Sequence, residues 1–173
     1  MPRKRVFQGK IVSASVEAVQ LPDGRHCDID MVRHPGGAAA VAVDSNGQVC
    51  LIHQYRPAVE AWIWEIPAGK LDAGETPLST VQRELAEEAG LLARSWTELG
   101  TVVSSPGVFT EVVHLFLARD LEYVERRLEQ HEIIEVHWQA LDAAVARATD
   151  GDIHDAKTVI ALFRAQRRLQ LTP

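Results

Sequence analysis

The sequence predicts a single α+β domain, a mixed α/β sandwich, on three observations. The chain has 173 residues, 46% of them hydrophobic and 24% charged, enough for one substantial core and ordinary for a globular protein. Strand-like and helix-like segments intermingle without the regular alternation of a parallel βαβ fold. No internal repeat, low-complexity tract or long linker divides them.

Taken in order, Val6 to Val19 and His26 to Arg33 read as two strands joined by the Leu21-Pro22-Asp23-Gly24 turn. This hairpin, residues 1–35, stands as an extension ahead of a main domain over 36–173. Ala38 to Val43 and Val49 to Tyr55 form a second hairpin, turning at Asp44-Ser45-Asn46-Gly47. Trp62 to Ile66 is a short strand. Thr76-Pro77 opens a helix, because Thr caps and Pro fits the first helical position, and Gly90 closes it. Trp96 to Val103 and Val112 to Ala118 are strands around the Ser104 to Thr110 loop, and Ile133 to Trp138 is another. Leu141 to Ala148 and Asp155 to Leu169 are helices, the second with Val159, Leu162, Phe163 and Leu169 at helical spacing.

The helix between Thr76 and Gly90 carries the chemistry. Glu84, Glu87 and Glu88 share one face at i, i+3 and i+4. Leu78, Val81, Leu85 and Leu92 fall on a neighbouring face that can enter a core. The acids crowd the last turn, where the helix dipole favours cations. Two like charges 4 Å apart repel by roughly 4 kcal/mol at an effective dielectric of 20. A solvated acidic face tolerates this; a bound hard cation, which needs carboxylate oxygens, reverses it.

Net charge is −6, which argues against a non-specific nucleic-acid or anionic-membrane binder. No apolar stretch approaches the roughly 20 residues of a membrane span. Cys27 and Cys50 lie in separate strand-like segments and do not make a zinc site. Two free thiols in a reducing cytoplasm are the simplest reading.

Gly69, Glu75, Arg83, Glu84, Leu85, Glu87, Glu88, Gly90 and Leu91 fill every constrained position of a pattern that resembles the Nudix box. The resemblance implies an α/β/α sandwich and hydrolysis of a nucleoside diphosphate linked to another group, with Mg²⁺ or Mn²⁺. It implies Glu84 and Glu88 as metal ligands, Glu87 as a direct or water-mediated ligand, and the Ala68 carbonyl as a further one. Arg83 would hold Glu75 or a neighbouring carboxylate through a bidentate pair. Gly69 and Gly74 would give the loop its tight path.

Three further segments narrow the resemblance. His53-Gln54-Tyr55-Arg56 with Trp64-Glu65-Ile66-Pro67-Ala68-Gly69, then Ser105-Pro106-Gly107, then Asp155-Ala156-Lys157-Thr158 resemble the ADP-ribose pyrophosphatase branch. The substrate would be a small nucleotide sugar, with GDP-mannose or a dinucleoside polyphosphate as alternatives. A non-catalytic Nudix ligand-sensing module is the reading from another class. Arg56 is a candidate phosphate or ribose ligand, Trp62 or Trp64 a candidate stacking ring, and Pro106 and Glu111 candidate substrate-side residues. Thr110 departs from the branch, where Asp is frequent. The resemblance also implies a homodimer, and a catalytic base on a mobile loop after the Ser-Pro-Gly turn. Glu132 is the candidate, with Glu129 or the box residue Glu87 as alternatives.

Overall fold

A computed structural model describes residues 3–128, 130 and 132–170. Strands β1 (Arg3–Gln8), β2 (Ser13–Gln20) and β3 (His26–Arg33) form one antiparallel sheet in that order. The expected long strand from Val6 to Val19 is therefore two. The chain reverses where the Gly9 amide donates to the Val12 carbonyl at 2.8 Å, so the extension is a three-stranded meander instead of a hairpin. The second turn lies where expected, with Gly24 at φ 87° donating to the Leu21 carbonyl at 2.9 Å.

The second sheet holds β4 (Gly37–Val43), β5 (Gln48–Arg56), β6 (Ala61–Glu65), β7 (Ala68–Lys70), β8 (Leu91–Val103), β9 (Val112–Tyr123) and β10 (Ile134–Ala140). Its order is β10-β5-β4-β9-β8, with β6 paired to β5 and β7 to β4. Strands β4 and β9 run parallel, while β5 is antiparallel to β4, β6 and β10. Strand β8 begins directly after Gly90, five residues before the expected Trp96, because Leu91, Leu92 and Ala93 pair with Tyr123, Glu122 and Leu121.

Helix α1 (Pro77–Ala89) covers one face, and α2 (Leu141–Thr149) and α3 (Ala156–Gln170) cover the other. Strand β4 is buried along its whole length because it lies between both layers. Ala38, Ala40 and Ala42 belong to the core beside α1, and Ala39, Val41 and Val43 to the core beside α2 and α3, the period of two that a pleated strand imposes. Val81 and Leu85 are fully buried in the first of these cores, each contributing about 1.5–3 kcal/mol. Leu78 and Leu92 are exposed, contrary to the sequence reading. Leu78 sits in the first helical turn, and Leu92 belongs to β8, where its side chain takes the outward face. Among the described residues, no helix is long and apolar enough to cross a membrane.

Candidate active site

Helix α1 is built as its ends suggested. The Thr76 hydroxyl accepts from the Ser79 amide, Pro77 occupies the first position, and Gly90 closes the helix at φ 68°. That register points Glu84 and Glu88, one turn apart, inward; they are 8% and 2% exposed. Glu88 Oε2 accepts the Ala68 amide of β7 at 2.8 Å. The Glu84 carboxylate lies against Gly69, so close that a Cβ there would stand 1.8 Å from Oε1. Gly69 thus admits a carboxylate to the backbone, whereas Gly74, at φ 88°, serves the turn.

Burial pushes the Glu84 carboxyl up, and Arg83 opposes it. Burial pushes Glu88 well above the carboxylate range. The Ala68 amide offsets this in part, and the charges of Glu84 and Glu132 add to it. Two carboxylates this deep and this close disfavour ionisation together. Their oxygen chemistry suits a hard divalent cation. Among the described residues, no three His, Cys, Asp or Glu side chains already stand at metal-holding spacing.

Arg83 explains part of that spacing. It forks onto Glu75 through Nε at 2.9 Å and Nη2 at 3.0 Å, and Nη1 reaches Glu84 at 2.7 Å and Glu87 at 3.0 Å. The Arg83 hydrogen bonds, with the Thr80 hydroxyl, hold Glu75 at about 2. The helix itself has no basic residue in its last turn. The cation favoured there comes from the chain after β9: Arg126 Nε donates to the Glu88 carbonyl at 2.8 Å, and the Arg127 amide to the Glu87 carbonyl at 3.2 Å. Gly90 is needed for this crossing as well as for its own conformation, since a Cβ there would meet Arg126 Cγ at 2.7 Å.

A cavity of about 320 Å³ opens beside Ala68 and Gly69, with Arg56, Lys157, Glu111 and His34 in its wall. Arg56 is paired with Glu65, and Lys157 with Glu65 and Asp155. Glu111 lies 3.3 Å from His34 Nδ1. The Ser104 to Thr110 loop docks onto β3: the Val32 amide donates to the Val108 carbonyl at 2.7 Å, and the Thr110 amide to the Val32 carbonyl at 3.0 Å. Thr110 Oγ1 also accepts the His34 amide at 3.0 Å, so the residue that departs from the branch ties the loop to the N-terminal sheet.

The candidate residues separate accordingly. Ala68, Arg56 and Glu111 line the cavity. Glu132 is partly buried, close enough for its charge to act on Glu84 and Glu88. Glu129 lies outside the described residues. Pro106 and Trp64 are not among the residues that line the cavity. Pro106 is exposed at the loop tip. Trp64 stacks on His53 at 4.3 Å with Arg147 over its ring at 4.3 Å. Alternation along β6 puts Trp64 on the face opposite Glu65. Cys50 is buried, its thiol pushed up to about 12, and is therefore inert. The sequence reading gave no role to Glu65, Lys157, His34 or Arg126. Glu65 and Lys157 lay inside quoted motifs; Arg126 carried no local signal.

The chain matches the NUDIX domain over residues 33–162. It is 39% identical over 162 residues to an ADP-ribose pyrophosphatase of Bacillus subtilis (strain 168), covering 92% of this chain and 88% of that one. It is 37% identical over 148 residues to an ADP-ribose pyrophosphatase of Mycobacterium tuberculosis (strain ATCC 25618 / H37Rv), covering 84% and 72%. The crystal structure of an ADP compounds hydrolase superposes with a TM-score of 0.83 at 22% identity, covering 98% of this chain and 92% of that one, which speaks for the fold. With the family match extending from the end of β3 into α3, and with the complete box on α1, the chain belongs to the Nudix family.

Proposed function

We propose that the chain hydrolyses the pyrophosphate bond of a nucleoside diphosphate sugar, converting ADP-ribose and water to AMP and ribose 5-phosphate with Mg²⁺ or Mn²⁺. One observation carries this reading. Ala68 and Gly69 touch the buried pair Glu88 and Glu84 and also line the cavity whose wall holds Arg56 and Lys157. Acids suited to a cation and a guanidinium suited to a phosphate therefore flank one space.

Glu84, Glu88 and the Ala68 carbonyl would hold the cation, with Glu87 joining directly or through water. When bound, the ion neutralises phosphate oxygens and lowers the pKa of a water. Arg83 orients Glu84 and Glu87. Arg56 binds the phosphates, and Glu111 faces the substrate from the opposite loop. Glu132 accepts the proton of the attacking water once its loop closes. The ADP-ribose pyrophosphatases among the relatives support the substrate.

ADP-ribose should release AMP; EDTA should abolish the release, and Mg²⁺ or Mn²⁺ should restore it. A panel that includes GDP-mannose and dinucleoside polyphosphates separates the alternatives, since GMP release exceeding AMP release would move the substrate. No turnover of any of them would leave a ligand-sensing module.

The same reading places residues 1–35 as an extension to a Nudix domain over 36–173, and the active form as a homodimer. Val6, Phe7 and Ile11 are exposed on the N-terminal sheet and its first turn, as suits a contact with a second copy. A monomeric mass by light scattering at micromolar concentration, with activity retained, would overturn the dimer. The free Cys27 and Cys50 support a cytoplasmic setting, and the charge of −6 one without a nucleic-acid or membrane partner.

A further inference from the structure

Arg56, Asp155 and Lys157 in the cavity wall form a four-charge cluster with the buried Glu65 behind them, and only Arg56 has a role in the reaction as proposed. Arg56 gives Nε and Nη2 to the two oxygens of Glu65 at 2.6 and 2.8 Å. Glu65 is 2% exposed, so the carboxylate side of this fork is shut off from water. Lys157 Nζ donates to the same Glu65 oxygen that accepts from Nη2, and to Asp155 Oδ2 at 3.0 Å. Asp155 is fixed by the Thr158 amide at 3.0 Å and the Thr158 hydroxyl at 2.6 Å. That hydroxyl also accepts the Ile66 amide at 3.0 Å. The end of β6, which carries Glu65, is thereby pinned to the first turn of α3, which carries Lys157.

The two cations are not equivalent. The Arg56 side chain is 39% exposed and borders two spaces, the cavity beside Ala68 and a second of about 610 Å³ lined by Val59, Ile63 and His154. Among the described residues, its Nη1 has no hydrogen-bond partner. Lys157 is more enclosed, and its ammonium is committed to two carboxylates. Without it, Glu65 and Asp155 would repel each other, with one guanidinium left to serve both. Arg56 already feels the Asp155 charge, and its fork would be drawn from Glu65 toward Asp155.

We infer that Lys157 is a positioning residue for substrate binding: by satisfying Glu65 and Asp155 together, it leaves Arg56 locked on Glu65 with one guanidinium nitrogen uncommitted at the cavity wall. The inference rests on reading Arg56 as the phosphate-binding group. Its consequence is a division of labour. Arg56 makes the contact, and Lys157 sets the cost of holding Arg56 ready for it.

The experiment is a double-mutant cycle on the full chain, read by the KM for ADP-ribose in Mg²⁺ and by the dissociation constant for ADP-ribose titrated in EDTA. Lys157→Met should raise both by about tenfold, with kcat held within about threefold, the loss expected for one charge-assisted contact. Lys157→Arg should restore most of the affinity. In an Arg56→Ala background, Lys157→Met should change neither constant, because nothing remains to be positioned. Additive effects in the cycle overturn the inference, as does a Lys157→Met protein within about twofold of wild type in both constants. A fall in kcat with KM unchanged also overturns it. Should Lys157→Met fail to fold, Glu65→Gln replaces it in the same cycle, with the same outcomes deciding. A wild type that binds ADP-ribose in EDTA but never cleaves it defeats the hydrolase reading, and the binding cycle still decides this inference. One that neither binds nor cleaves it overturns both.

Discussion

Glu65 and Glu88 are both 2% exposed, yet they titrate in opposite directions. Burial raises each of them. At Glu65, the Arg56 fork and the Lys157 ammonium more than offset burial and hold the carboxyl at about 2. At Glu88, the Ala68 amide offsets it only in part, and neighbouring acids add to it. Depth alone therefore says little about role. A buried acid with its own cations is a positioning element; a buried acid beside other acids is a site that gains from a cation arriving.

The sharpest way to break this contrast is at the undercompensated end. Glu84→Gln or Glu88→Gln should lower kcat by about 10³-fold, the several kcal/mol of charge stabilisation that a lost cation forfeits. Mg²⁺ should raise the melting temperature of the wild type and fail to raise that of either variant. Full activity in either would remove the pair from the reaction. Glu132→Gln should cost about 10²-fold in kcat with KM nearly unchanged, as removal of a proton acceptor does. If Glu132→Gln stays near wild type while Glu87→Gln or Glu129→Gln collapses, the base lies there instead.

Gly69 and Gly74 test whether backbone or carboxylate is the constraint. The Cβ of Gly69→Ala must displace the Glu84 carboxylate, so it should cut kcat by roughly tens of fold while the protein stays folded. Gly74→Ala has open space but a φ of 88°, so it should cost about 1 kcal/mol of stability and leave kcat intact. Equal losses of activity in the two would mean that Gly69 only shapes the loop.

The same contrast explains what was legible in the sequence. Helix α1 could be read to the residue because its signals are local: a capping Thr, a Pro at the first position, a Gly at the end. The spacing of its acids was equally local. The β1–β2 reversal was missed because Gly9 and Lys10 interrupt an otherwise strand-like run without the paired turn residues that mark Leu21 to Gly24. Trp64 shows the same limit, because a ring near a motif reads the same whether it stacks on a base or packs with His53 and Arg147. Arg126, Glu65 and Lys157 act on partners 38, 9 and 92 residues away. Only the sheet topology brings such partners together, and local pattern carries no trace of it.

The pH dependence of stability gives the finest test, because the two glutamates should change stability with pH in opposite senses. Glu65 has a folded pKa of about 2, below its ordinary 4.5. Its stabilisation is therefore complete above pH 4.5 and is lost as pH falls toward 2. The full contribution is about 3 kcal/mol, shared with Arg56 and Lys157 as a single contact network. In urea unfolding, the advantage of wild type over Glu65→Gln should shrink as pH is lowered from 5 to 3. Glu88 is raised above 4.5, so its ionisation penalises the folded state increasingly as pH rises. In EDTA, Glu88→Gln should be more stable than wild type at pH 7, and the gain should vanish below pH 4.5. Mg²⁺ should reverse the order at pH 7 by binding the wild type alone. A wild-type advantage over Glu65→Gln that stays flat from pH 7 to 3 would deny the fork its energetic role. A Glu88→Gln protein less stable than wild type in EDTA at pH 7 would mean that the Ala68 amide already satisfies that carboxylate, with no cation needed.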